Sequence, residues 1–262
     1  MKRAIVLAGL MLATSAPLLA DVTVKGTGSG KGLGMSGNMV TTTYVKGQKM
    51  RVDTVTGDTT RSMIFDVENQ KLYMFDNKKK EADVYDMAAF AAEMGKAVEV
   101  GAITSNVKPN GQTKQIAGKT ASGYDMDISV PASLGGAGGM KMVVKMTGPA
   151  WIVKGAPGTA DYVAFYRAAA QKGFIFSDPR AAKGNPGQAK AMARMYEQFA
   201  DIGGIPYETT MDIKPTGEGP MAGMMAKMGS MSMSQLVESV DTAAIPAETF
   251  APPAGYKINE KK

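Results

Sequence analysis

"YVKGQKMRVDTVTGDTTRSMIFDVENQKLYMFDNKKKEADVYDM", residues 44–87, sets short runs rich in β-branched and aromatic residues between turn signals. The signals are Lys46-Gly47-Gln48, Thr56-Gly57-Asp58, Glu68-Asn69-Gln70 and Asp76-Asn77-Lys78. Gly, Asn and Asp accept the left-handed backbone of a tight turn, so each signal reads as the end of a hairpin. Strands are expected at 38–46, 49–55, 60–67, 70–76 and 81–86, with another before them at 21–27. "SMIFD" and "KLYMFD" are apolar on both faces, which asks for cover on both sides of the sheet. Lys78-Lys79-Lys80, flanked by acids, reads as a solvated hairpin tip.

Downstream the same period of two returns. Tyr124, Met126, Ile128 and Val130 alternate with Asp125, Asp127 and Ser129. Met140, Met142, Val144 and Met146 oppose Lys141 and Lys145, and Tyr207, Thr209, Met211 and Ile213 oppose Glu208, Thr210 and Asp212. One apolar and one solvated face is the antiparallel habit. "PASLGGAGG", 131–139, lacks the lysine and setting of a phosphate loop and reads as a hairpin tip. Three segments follow helical spacing instead. "DMAAFAAEMG" has Asp86 as cap, Met87, Phe90 and Met94 on one face and Gly95 as stop. "TADYVAFYRAAAQKG" gathers Tyr162, Phe165, Tyr166 and Ala169 and ends at Gly173. "NPGQAKAMARMYEQFADIGG" starts at Asn185 and Pro186, aligns Ala189, Met192, Met195, Tyr196 and Phe199, and stops at Gly203. The expected class is mainly β with helices, α+β, in one domain over 21–262: a meander of long antiparallel strands that curls around the helices.

The start of the chain has the shape of a secretory signal peptide: MKR, then the apolar AIVLAGLMLA, then TSAPLLA, with cleavage expected after Ala20. The apolar run is too short to span a bilayer, and no later segment is apolar enough to do so. Without residues 1–20 the net charge falls from +6 to +4, scattered rather than clustered, which does not suit a nucleic-acid surface. There is no cysteine, hence no disulfide and no lipid-attachment cysteine, and a periplasmic, unanchored protein is expected. There is no histidine, so Ser/His and Cys/His catalysis is excluded and the usual metal ligand is missing. No pair of carboxylates has a recognisable catalytic spacing. No catalytic residue and no cofactor are expected, and a non-enzymatic role is.

Methionine is the unusual residue. Of 22, seven fall between 211 and 233, most of them in "MAGMMAKMGSMSM". Thioethers suit a soft ion such as Cu(I) or Ag(I), and Met221, Met224, Met225, Met228, Met231 and Met233 are the candidate ligands for that alternative. Yet methionine also recurs on the apolar faces of strands and helices, which follows burial rather than ligand geometry. A flexible, polarisable side chain lines surfaces that fit guests of variable shape. The face assignment puts Met63, Phe65, Met74, Met126, Met142, Phe199 and Met211 around a hollow for a lipid, a lipidated protein or another apolar ligand, with a transient envelope partner. A structural envelope module with a filled core is the third reading.

Residues 44–87 also carry a resemblance. Lys46, Met50-Arg51-Val52-Asp53, Ile64-Phe65-Asp66 and Leu72-Tyr73-Met74-Phe75-Asp76 resemble the first half of the LolA-like periplasmic lipoprotein-carrier (Lol-type) superfamily. "IPAETFAPPAGYKI" is similar to the closing strand of those carriers, through Phe250, Pro252-Pro253 and Gly255. More closely, the chain resembles an exported domain-of-unknown-function family grouped beside them. The resemblance implies an open, incomplete antiparallel β-barrel wrapped around plug or lid helices, with a hollow that takes up acyl chains. It also marks a departure. The carriers place an arginine that helps control lid opening in the turn where this chain has Lys46-Gly47-Gln48.

Overall fold

The computed structural model describes residues 21–32, 35–96, 103–134, 140–174, 176, 178–184, 186–217, 222–223, 225 and 229–261. The first half is the expected meander: β1 (Val22–Gly32), β2 (Met35–Lys46), β3 (Lys49–Thr56), β4 (Thr59–Asp66), β5 (Lys71–Asp76) and β6 (Glu81–Asp86). Positive φ at Gly47, Gly57, Gln70 and Lys80 closes the four turns after β2 where the sequence signals them. Residues 77–80, with their three lysines, are exposed. α1 (Met87–Lys96) follows, opened by the Asp86 carboxylate accepting the Ala89 N–H at 3.0 Å; it runs one residue past Gly95.

Then come β7 (Thr104–Ile116), β8 (Lys119–Leu134), β9 (Met140–Lys154), α2 (Thr159–Gln171), α3 (Pro179–Gly184), α4 (Pro186–Ile202), β10 (Gly204–Gly217), β11 (Met231–Asp241) and β12 (Lys257–Lys261). α2 and α4 stop at glycines in the left-handed region, Gly173 and Gly203, as the sequence predicts. Of the tip expected at 131–139, residues 131–134 are strand, the end of β8, paired with β9 as far as Leu134 opposite Met140; residues 135–139, the cap Asn185 and the leader 1–20 lie outside the described residues.

The twelve strands of the described residues form one sheet, in the order β12-β6-β5-β4-β3-β2-β1-β11-β10-β9-β8-β7, which among these residues is not closed into a barrel. Two corrections follow. The sheet is mixed, because β12 lies parallel to β6 while every other pairing is antiparallel. The segment resembling a closing strand is mostly not one: it contains a 3-10 turn at Ala247–Phe250, and strand begins only at Lys257.

The strands around residue 64 are covered on both faces. Met50, Phe65 and Leu72 face inward, whereas Ile64, Phe75 and Ala82 form an outer cluster against Tyr73 and Tyr256, whose ring meets Phe75 edge-on at 6.0 Å. On the inner face one cluster joins Tyr85 of β6, near one edge of the sheet, to Ile116 of β7 at the other, through Phe165, Tyr166 and Ala169 of α2. Strands so far apart in the order share a core only because the sheet bends around the helices.

Candidate functional site

The inner face carries two clusters, each beneath a helix. Under α2 lie Val22, Val45, Met50, Phe65, Leu72, Tyr85, Val153 and Tyr207. The rings of Phe65, Phe165, Tyr166, Phe174, Phe176 and Tyr196 pack edge-on, tilted or stacked at 5.0–6.1 Å. Under α4 lie Tyr124, Met126, Ile128, Val130, Met146, Ile152, Met211 and Ile213, filled from above by Ala191, Met195 and Phe199. Tyr196 packs against both, so the apolar surface is continuous.

Six of the seven candidate lining residues lie on this face of the sheet, and Phe199 packs onto it from α4. Phe65 belongs to the first cluster, and Met63 and Met74, directly opposite each other on β4 and β5, pack against it half-buried. Met126, Phe199 and Met211 belong to the second. Met142 is half-buried on the same side of β9 as Met146. The described part of the methionine tract is divided. Met225 is 1% exposed, Met231 packs half-buried against the second cluster, and Met233 is 36% exposed, while Met221, Met224 and Met228 lie outside the described residues. Among the described residues no three His, Cys, Asp or Glu side chains gather as metal ligands.

One part of the inner face has little side chain on it, and the sequence reading missed it. In β1 every inward position of the second half is glycine: Gly26, Gly28 and Gly30 share the face of Val22 and Val24. At Gly26 the register with β11 shifts and the Leu236 carbonyl comes so close that no Cβ would fit. At Gly28 a Cβ would lie 3.1 Å from Cγ of Met39, the residue opposite on β2. Gly30 stands opposite Met233, which in turn stands opposite Met211 on β10. The result is a strip of glycine backbone, buried at Gly26 and Gly30, with the Met39 side chain lying over Gly28 and Met233 beside Gly30. Through Met233 and Met211 it adjoins the methionine cluster under α4, and Met233 itself is 36% exposed. The alternation was visible in "GTGSGKG", 26–32, as glycine at every second position.

The interior holds polar atoms but little charge. Burial pushes the phenols of Tyr162, Tyr166 and Tyr196 above the ordinary tyrosine range, so they are neutral, and Tyr166 Oη donates to Sδ of Met50 at 3.6 Å. The carboxylates sit mostly at the sheet's margins. Asp66 binds Asn69 and Lys49, and Asp21 binds Lys46 at 2.7 Å and the Ile245 N–H at 2.6 Å. The described inner face is thus a continuous, sulfur-rich apolar surface.

No protein-family model matches this chain, and no curated protein is similar to it. Among solved structures it is similar to one described as "Structure of PNGF-II in C2 space group", at 13% identity and a TM-score of 0.35. The likeness covers 92% of this chain, which spans 31% of that chain's length. At that level nothing about fold or activity carries across. Among the described residues no helix is long and apolar enough to cross a membrane.

Proposed function

We propose that this chain is an exported, non-enzymatic carrier that holds a lipid, or the acyl chain of a lipidated protein, along its concave face. In this reading the sheet is an incomplete barrel and α2 and α4 are its plug. The observation that carries it is the continuous, methionine-rich apolar face beneath α2 and α4, which reaches solvent at Met233 beside the glycines of β1. The glycines let a chain approach the backbone closely once the flexible Met39 side chain swings aside, and the thioethers adapt to whatever chain lies there. Each buried methylene contributes about 0.8 kcal/mol, so ten give about 8 kcal/mol, enough for micromolar binding before ordering costs. Such a site needs few polar contacts and therefore leaves no catalytic motif in the sequence.

The test is uptake of a fluorescent fatty acid, with native mass spectrometry of the gently purified protein to look for retained acyl species. Met233→Glu places a charge beside the strip at an exposed position. It should weaken uptake at least about tenfold through the cost of desolvating the carboxylate, with little effect on melting. Bare mass and no uptake by the wild type, or undiminished uptake by the variant, would end the reading.

A further inference from the structure

We propose a second site, for a soft monovalent metal ion such as Cu(I), held by the thioethers of Met211, Met231 and Met233, with Met39 closing it from across β1. Of the tract methionines that the sequence offers as ligands, the fold uses Met231 and Met233 and joins to them two methionines from distant strands. Met233 stands directly opposite Met211 on β10, and Met231, two residues before it on β11, points to the same face opposite Ile213. Directly opposed side chains of an antiparallel pair lie about 5 Å apart and diagonal ones about 7–8 Å, within reach of long side chains. Three thioethers can therefore meet above one point of the sheet.

The glycines of β1 bring in the fourth donor. Met39 stands opposite Gly28, and its Sδ lies 3.5 Å from the point where a side chain on Gly28 would begin, so the thioether already reaches over β1. Gly30, the next inward position of β1, is flanked by Met233. A side chain at 28 or 30 would stand between Met39 and Met233, and glycine has none. Core packing alone does not account for this arrangement. Met233 is 36% exposed and Met39 and Met231 are half-buried, whereas Met126, Met146 and Met195, the fillers under α4, are 4% exposed or less.

The donor set narrows the ion. Thioether sulfur is neutral and soft, which suits Cu(I) and its redox-inert surrogate Ag(I). Zn(II) takes imidazole and thiolate, and this chain has no His and no Cys; hard ions take clustered carboxylates, which are missing among the described residues. An apolar surround also favours a single charge over the double charge of Cu(II). Met233 opens the site to solvent, and Met211, 7% exposed, is its inner end. The ion enters as Cu(I), exchanges its ligands for thioethers and stays Cu(I), so no electron moves. The site needs four sulfurs and no hydrocarbon guest, and it stands whether or not the same face carries lipid.

Anaerobic titration of the whole protein with Cu(I) against a coloured Cu(I) chelator tests it, with native mass spectrometry in Ag(I) for stoichiometry and Zn(II) as the control ion. One ion per chain is expected, with an all-sulfur first shell by X-ray absorption. Changes in the second shell already weaken metal sites about 10- to 100-fold. Met231→Leu/Met233→Leu removes two ligands and should weaken retention at least about 100-fold, and Met39→Leu at least about tenfold. Leucine keeps the apolar volume, so both variants should melt close to the wild type and still take up fatty acid. Should the double variant fold poorly, Met39→Leu, at a half-buried position, decides by itself. Cu(I) retention without fatty-acid uptake by the wild type would sink the carrier and leave this site standing; uptake without Cu(I) retention would do the reverse. The proposal is overturned if neither Cu(I) nor Ag(I) is retained, or if Zn(II) is retained equally. Undiminished retention in both variants, the result expected if Met221, Met224 and Met228 held the ion instead, overturns it as well.

Discussion

Met195→Ala separates a plug helix from an ordinary core helix. Met195 is 4% exposed on α4 and sits among Met126, Met146, Met211 and Phe199. Truncating a buried methionine costs about 2–5 kcal/mol; the lower half, about 2–3, applies here because neighbouring methionines can move into the void. If α4 must lift to admit an acyl chain, the lifted state has already lost those contacts, so the truncation destabilises only the closed state. The open fraction then rises about 30- to 150-fold, and apparent affinity rises with it until opening no longer limits binding. The same loss lowers the melting temperature by about 4–12 °C in a chain of this size. Stability and affinity therefore move in opposite directions. Val84→Ala is the control: it is 2% exposed on β6, away from α4, and should lower the melting temperature without changing affinity. The assay pairs a thermal melt with titration of a fluorescent fatty acid. A lower melting temperature with unchanged or weaker uptake in Met195→Ala would refute the plug, leaving α4 a fixed part of the core.

Two predictions concern titration. Burial opposes the charge on Asp66, but hydrogen bonds from the Asn69 side chain and backbone and from Lys49 outweigh it and hold the carboxyl below the ordinary value of 3.8. A depressed folded value means its contribution is complete above the unfolded value and is lost as pH falls through the folded one. Asp66→Asn should thus cost roughly 1–2 kcal/mol in urea unfolding at pH 7, a gap that closes in strong acid; a gap independent of pH would refute it. The buried phenols of Tyr162, Tyr166 and Tyr196 have the opposite sense, being raised by burial. They stabilise the fold fully below the unfolded tyrosine value near 10, and that stability is lost as pH rises above it. Absorbance at alkaline pH should show these phenols ionising together with loss of structure; smooth ionisation with the fold intact would contradict their burial.

The first half of the chain was legible because its instructions are local. Each turn carries its own Gly, Asn or Asp, and period-two alternation placed Met63, Phe65, Met74 and Met126 on the face that packs against the helices. What escaped was non-local or polar. β11 reads as a tail of the methionine tract, and nothing near it says that Gly30 will stand opposite Met233 or that Met211 will flank it on the other side. β7 is an edge strand, "TSNVKPNGQTKQI", with Pro109 at a register shift; exposed along most of its length, it has no apolar rhythm to read. Asp161 looks like an ordinary acidic residue in the first turn of a helix. Only the packing of α2 shows that it is buried, with its Oδ1 lacking a hydrogen-bond partner among the described residues.

The methionines also bear on how a carrier of this kind would release its guest. If α4 occupied a surface made for it alone, a guest would have to repay the whole cost of undocking it, and binding would be negligible. If the surface were bare, the empty protein would expose a broad apolar face and aggregate. A helix presenting Ala191, Met195 and Phe199 to Met126, Met146 and Met211 lies between these limits. Hydrocarbon from the guest replaces hydrocarbon from the helix, so the net gain is a difference between two similar burials and stays reversible. In the proposed carrier, the exposed Met233 would be the toehold, where the first methylenes bind before any of α4 has to move.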